Sequence, residues 1–297
     1  MSKQVGIPTA LLGAGFVLAW SCGFWGAKVG AGDGSTVSLL FWRFAVVAVA
    51  LWAYVGLRGL RVPRAEVRHH VVVGLFSQAG YVAPVYVAVA LGVSTGTTSL
   101  VDAVQPIVVA TLAGPLLGLV VRPAQWVGLA GAFVGVVMIV RADAGGGAAA
   151  WWVYAVPALA VASLVVGTLV ERGHQTSAPL PVMLAIHVTV TAVVFAVPNL
   201  LGGDPLPTSP RFWALTAWMA VVPTVGAYAL YWGLLRRVDV TALNTLLLLV
   251  VPTTTLGGVV MFGEPLTALT VAGVAVVAAG VVTVLRGERR RQPVAVR

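Results

Sequence analysis

The sequence predicts an all-α polytopic membrane protein whose ten transmembrane helices form two inverted five-helix repeats. Composition comes first: 59% of the 297 residues are hydrophobic and 9% charged, and the mean hydropathy is +0.98. The apolar residues gather in runs of about 20, the length that crosses a hydrocarbon core. The second observation is where the charges fall. The net charge of +9 sits mostly between the apolar runs, so it reports membrane topology and not nucleic-acid binding. The third is internal repetition. Gly118, Gly128, Gly135 and Arg141 recur as Gly263, Gly273, Gly280 and Arg286, each displaced by 145 positions. Five helices are an odd number, so the second copy, 146–297 with its basic tail, crosses the membrane in the opposite sense to the first, 1–145.

In chain order the runs are 7–28, 37–57, 71–91, 97–120, 124–140, 151–170, 182–201, 212–235, 240–262 and 267–285. They are continuously apolar and lack period-2 alternation, which excludes a β-barrel. The first run has no small-residue cleavage box and reads as a retained helix. Apart from Lys28, Arg43, Arg141 and Arg211, every Lys and Arg falls in segments on the side of the N-terminus. This bias puts both termini in the cytoplasm and the protein, multi-pass, in the cell (inner) membrane. Trp126, Trp151, Trp152 and Trp213 fall at run ends, as interfacial anchors do. Cys22 stands alone, so no intrachain disulfide forms.

Polar residues inside the runs are the candidate functional groups. Thr98, Asp102 and Gln105 are spaced i, i+4, i+7 and share one face of the fourth helix. A membrane-embedded carboxylate costs about 2.5–3.5 kcal/mol to insert, so Asp102 calls for a partner or a function. At the helical rise Asp102 lies about 7 Å, and Arg43 about 9 Å, along helices entered from the same side. The matching depths predict an Arg43–Asp102 ion pair that locks two helices or serves gating or proton coupling. Pro106 and Pro252 predict helix breaks in the fourth and ninth runs, with Gln105 and Asn244 beside the resulting cavity. Trp20 with Phe24, Gln78 with Tyr81, and Tyr228 with Trp232 are spaced to share helix faces and suit an amphipathic solute. Glu264 reads as an extracellular gate or as a carboxylate beside the N-terminus of the tenth helix. His187 lies inside the seventh run, where it relays protons, contacts solute or bonds a neighbouring hydroxyl. His69, His70 and His174 are assigned to solvated loops.

The stretches Trp20–Lys28, Trp42-Arg43-Phe44, Ala90–Thr95, Gln105-Pro106 and Phe262-Gly263-Glu264-Pro265 resemble the drug/metabolite transporter superfamily, EamA type. The resemblance covers essentially the whole chain and implies ten helices, a central cavity between the repeats and movement of a small metabolite. One departure stands out: the counterpart of Glu264 in the first repeat is Leu119. No metal, nucleotide or nucleophile motif occurs, and Gly145–Gly147 lacks the Lys-Ser/Thr of a phosphate loop. The expectation is a non-enzymatic secondary transporter without cofactors, with the lipid bilayer, a small solute and candidate coupling protons as its partners. Amino-acid efflux, aromatic or amphipathic, is the leading reading. Export of drugs or quaternary cations, and a non-transporting or scramblase-like protein, stay open.

Overall fold

The computed structural model describes residues 7–32, 36–105, 108, 112, 123–146, 149–174, 176–202, 204–235, 237–238 and 240–289. Every regular element among them is helical: α1 Ile7–Gly32, α2 Thr36–Leu57, α3 Arg64–Gly74, α4 Gly80–Ala90, α5 Thr95–Ala103, α6 Pro123–Gly146, α7 Val156–Arg172, α8 Leu180–Leu201, α9 Pro210–Met219, α10 Ala227–Leu235, α11 Val240–Phe262 and α12 Ala268–Arg289. Trp151–Ala155 forms a 3₁₀ turn before α7. Among the described residues, seven stretches are long and apolar enough to cross a membrane, and Leu249–Phe262 and Ala268–Gly280 are shorter apolar helices. Large apolar side chains such as Leu57, Leu201 and Val260 lie exposed on the perimeter, where lipid replaces water as the solvent. The main core, around Phe16, Phe24, Leu39, Phe44, Phe195 and Met219, lies inside the bundle.

Two short π-helical segments interrupt otherwise continuous spans. Leu75–Ala79 joins α3 to α4, and Ala220–Gly226 joins α9 to α10. Their first residues are 145 positions apart, the displacement that relates the glycines. A π-turn adds one residue to a helical turn, which leaves backbone groups without their usual partners and rotates the side chains beyond it. Hydroxyls meet some of those groups. Ser163 Oγ on α7 donates to the Phe76 carbonyl (2.9 Å), and Thr224 Oγ1 to the Met219 carbonyl (2.9 Å).

These segments correct the expected helix breaks. α11 runs as one α-helix through Pro252, so the missing N–H costs a single ladder bond. Thr253 and Thr255 hydroxyls bond back to the Leu249 and Val251 carbonyls, and the Trp25 indole donates to the Thr254 carbonyl (3.2 Å). Pro106 lies outside the described residues.

Packing pairs the elements reciprocally. α1 lies on α9, α10 and α11; α7 lies on α3, α4 and α5. α2 packs on α8, α5 on α11 and α6 on α12. At the α6–α12 crossing the backbones themselves touch. A Cβ on Gly280 would stand 2.6 Å from the Gly128 carbonyl oxygen, and one on Gly135 would stand 2.7 Å from that of Gly273. Small residues permit this approach, the usual device for joining helices in lipid.

Candidate functional site

The two π-segments face each other across a central cavity. Its wall is formed by Trp20, Gly23 and Phe24 of α1, Arg43 and Phe44 of α2, Ser77 to Tyr86 along the third span, and Pro223, Thr224 and Tyr228 along the eighth. The free space, counting the open mouth, is about 580 Å³. Trp20 stacks at a tilt on Tyr228, ring centres 6.1 Å apart, and on Phe16 at 5.5 Å. The wall is therefore mostly apolar and rich in aromatic rings, with Gln78, Ser77, Thr224 and Arg43 among its polar groups, the usual composition of a small-molecule site.

Among the expected solute contacts, Trp20, Gln78, Tyr81 and Tyr228 all reach this cavity. Gln105 does not line it and instead donates from Nε2 to Thr168 Oγ1 (3.3 Å). The side chains of Trp232 and Asn244 lie outside the described residues. Tyr86 and Thr224 line the cavity unannounced by sequence, and Phe44, marked there only as part of the Trp42-Arg43-Phe44 stretch, lines it too. A lone aromatic or threonine in an apolar run carries no positional signal, and the π-turn rotates Thr224 inward.

The expected Arg43–Asp102 ion pair does not form. Arg43 is 6% exposed; its Nε donates to Thr224 Oγ1 (2.7 Å) and its Nη1 to Tyr86 Oη (2.6 Å). Asp102 Oδ2 accepts from Tyr81 Oη at 2.9 Å, while Oδ1 is buried with no hydrogen-bond partner among the described residues. The depths matched, but depth along a helix does not fix which way each side chain points around it. Tyr81 thus has its ring in the cavity wall and its hydroxyl on Asp102 behind it.

Glu264 is also placed differently from the expectation that it serves the tenth helix. α11 ends at Phe262, and the φ of +65° at the following Gly263 sets a left-handed turn that glycine adopts without strain. The turn swings Glu264 onto α5, where its carboxylate accepts from the Thr95 amide (2.9 and 3.1 Å) and hydroxyl (2.8 Å) and lies 3.6 Å from Lys28 Nζ. Asp143 Oδ2 accepts the neighbouring Ser94 amide (3.0 Å). Two carboxylates thus meet the positive N-terminus of α5. α12 is capped by Thr267 instead, whose Oγ1 accepts the Thr270 amide (3.1 Å).

The four histidines, spread between loop and helix in the sequence reading, come together at the opposite end of the bundle. α3 begins at Arg64 and so carries His69 and His70, with His70 fully buried. Ring centres of His69 and His174, His69 and His70, and His70 and His187 are 4.4, 5.2 and 5.6 Å apart. Glu66 beneath them accepts from the Thr176 hydroxyl and from the amides of Ser177 and Ala178, tying α3 to the turn before α8. His187 Nε2 has no partner hydroxyl among the described residues. No group of three His, Cys, Asp or Glu among the described residues is arranged to hold a metal. Trp213, expected as an interfacial anchor, is T-stacked on Trp42 (5.1 Å) and donates to the Pro207 carbonyl (2.8 Å).

Comparison with known proteins agrees with this architecture. A solved structure described only as a crystal structure of a protein aligns with a TM-score of 0.65 at 22% identity, covering 96% of this chain and 99% of its own. At that identity the likeness concerns the fold alone. No curated protein matches the sequence. Residues 7–141 match the model of the EamA-like transporter family, whose members carry small solutes across membranes. That match spans just under half of the chain, the part that supplies α1 to α5 and most of α6, and through it this multi-pass membrane protein is similar to the transporters of the drug/metabolite superfamily.

Proposed function

We propose that the protein is an inner-membrane secondary transporter that moves small organic metabolites by alternating access, with efflux of aromatic or amphipathic amino acids as the leading activity. The observation that carries the reading is the central aromatic cavity, which takes residues from α1, α2 and both π-segments. Its support is the reciprocity of packing. Under a displacement of 145, the Gly128–Gly280 contact becomes the Gly273–Gly135 contact, as a twofold relation between 1–145 and 146–297 requires. Two such units rocking about a shared seam expose the cavity to each side in turn.

In this reading the Lys28–Glu264–Thr95 cluster closes the extracellular end, and Arg43, Asp102 and His187 are the groups near the path that respond to charge. The test is flux into proteoliposomes across a panel of amino acids and organic cations. Saturable uptake of at least one amino acid is expected. A protein that stays folded yet moves nothing on the panel would be a structural or scramblase-like one.

The closing cluster yields a separate expectation. Glu264→Ala removes the acceptor for the Thr95 amide and the partner of Lys28, and loss of such a cap costs about 1 kcal/mol. The extracellular end should then open more often. In a background with Cys22 replaced by serine, a cysteine placed at Val259, beside Glu264, should react several-fold faster with a membrane-impermeant thiol reagent. Unchanged reactivity would mean that the cluster is only a brace.

A further inference from the structure

Arg43 is the one charged side chain in the cavity wall among the described residues. Everything it touches is neutral. Besides its bonds to Thr224 and Tyr86, its guanidinium carbon lies 5.0 Å from the ring centre of Phe44 and 5.9 Å from that of Tyr86. Hydroxyls and ring faces reduce the cost of burying a cation, but they do not neutralise it. Of the acids in the bundle, Asp102 is bonded to Tyr81 and Glu264 to Thr95 and Lys28, while the charge of Glu171 is felt at Tyr228 of the cavity wall. No carboxylate among the described residues stands within ion-pair distance of Arg43.

The side chain is also held in one pose. Tyr86 donates its own proton to the Gly23 carbonyl (3.2 Å), and Thr224 donates its proton to the Met219 carbonyl. Both hydroxyls therefore offer lone pairs to Arg43 and cannot turn away without losing a bond. Nε and Nη1 are occupied, and Nη2 has no partner among the described residues. A planar guanidinium fixed in this way matches a carboxylate, which it binds through charge-assisted, often paired, hydrogen bonds.

We propose that the solute itself supplies the counter-charge, with Arg43 binding the carboxylate of a small aromatic or amphipathic acid or amino acid. The rings of Trp20, Phe24, Tyr81 and Tyr228 take its apolar side chain. This rests on the transport reading above and narrows it, since a fixed cation in the wall repels the quaternary cations that the sequence left open.

The probes are two pairs that differ only at the carboxyl group: 3-phenylpropionate with 3-phenylpropionamide, and L-phenylalanine with L-phenylalaninamide. Apparent affinities come from the rise in melting temperature of the purified, detergent-solubilised protein with millimolar probe. The acid of each pair should bind about tenfold to a hundredfold more tightly than its amide, the range for a hydrogen bond to a charged group. Arg43→Gln should erase that preference, and Arg43→Lys should keep part of it. Because Arg43→Gln also removes two internal hydrogen bonds and endangers folding, the acid-to-amide ratio in the unaltered protein decides by itself. Equal affinity for acid and amide overturns the proposal, as does no response to any of the four probes, or an undiminished acid preference in folded Arg43→Gln. Proteoliposome flux separates the two levels. Transport of uncharged or cationic solutes without acid preference sinks the Arg43 assignment and leaves the transport reading standing, whereas no flux of any solute sinks both.

Discussion

Gly280→Val should cost the protein most of its stability, and Gly135→Val should cost nearly the same. A Cβ at Gly280 would meet the Gly128 carbonyl oxygen at 2.6 Å and the Ala132 amide nitrogen at 2.7 Å; one at Gly135 would meet the Gly273 carbonyl oxygen at 2.7 Å and the Val277 nitrogen at 2.8 Å. These neighbours are backbone atoms of a facing helix, so no rotamer change relieves the clash and the helices must part. Overpacking costs about 1–3 kcal/mol even where side chains can give way, and separating α6 from α12 also unmakes the packing of Ile139 and Val277 in the second core cluster. Gly131→Ala is the control on the same helix. Its Cβ would find Gly280 Cα at 3.9 Å, an ordinary contact. Thermal melts of the three variants in one detergent should show a loss of several degrees or of folded protein for the valines, and little change for the alanine. Similar melts for all three would mean that the crossing contributes little to holding the fold.

Much of the bundle was legible in the sequence because the bilayer leaves so few choices. A span must be helical and about 20 residues long, so apolar runs translate into helices almost directly. The aromatic and amide pairs were legible for a related reason: polar edges at i, i+3 or i+4 within an apolar run mark one helix face, and Trp20, Gln78, Tyr81 and Tyr228 indeed share one cavity. What sequence did not carry was rotation about the helix axis. Arg43 and Asp102 matched in depth yet face different neighbours. The π-segments were invisible because an extra residue in a turn changes neither composition nor run length. Pro252 drew attention as a break, while the distortion sits at Ala220–Gly226 around Pro223. Glu264 was legible as a capping carboxylate but not by partner, since several helix ends meet at one level and a carboxylate can serve a neighbour instead of its own helix.

Asp102→Asn is expected to leave the protein folded, raise its melting temperature and uncouple solute accumulation from a pH gradient. Asp102 has one hydrogen bond, from Tyr81 at 2.9 Å, and a buried Oδ1 with no partner among the described residues. No cation among them pairs with it. Asparagine keeps an acceptor for Tyr81 and sheds a charge whose insertion costs about 2.5–3.5 kcal/mol, so stability should rise. The functional loss follows from position. Tyr81 lines the cavity with its ring and holds Asp102 with its hydroxyl, so a proton gained or lost at Asp102 alters the cavity wall through a single bond. If one proton accompanies each solute, a gradient of one pH unit is worth about 1.4 kcal/mol, or roughly tenfold accumulation. The asparagine variant, with nothing to protonate, should equilibrate solute without concentrating it. Counterflow and gradient-driven uptake measured in the same proteoliposomes separate these outcomes. Tyr81→Phe should behave differently: it leaves the carboxylate without its donor, which costs about 1–3 kcal/mol, and so should lower stability. A stabilised asparagine variant that still concentrates solute would assign Asp102 to the wall alone.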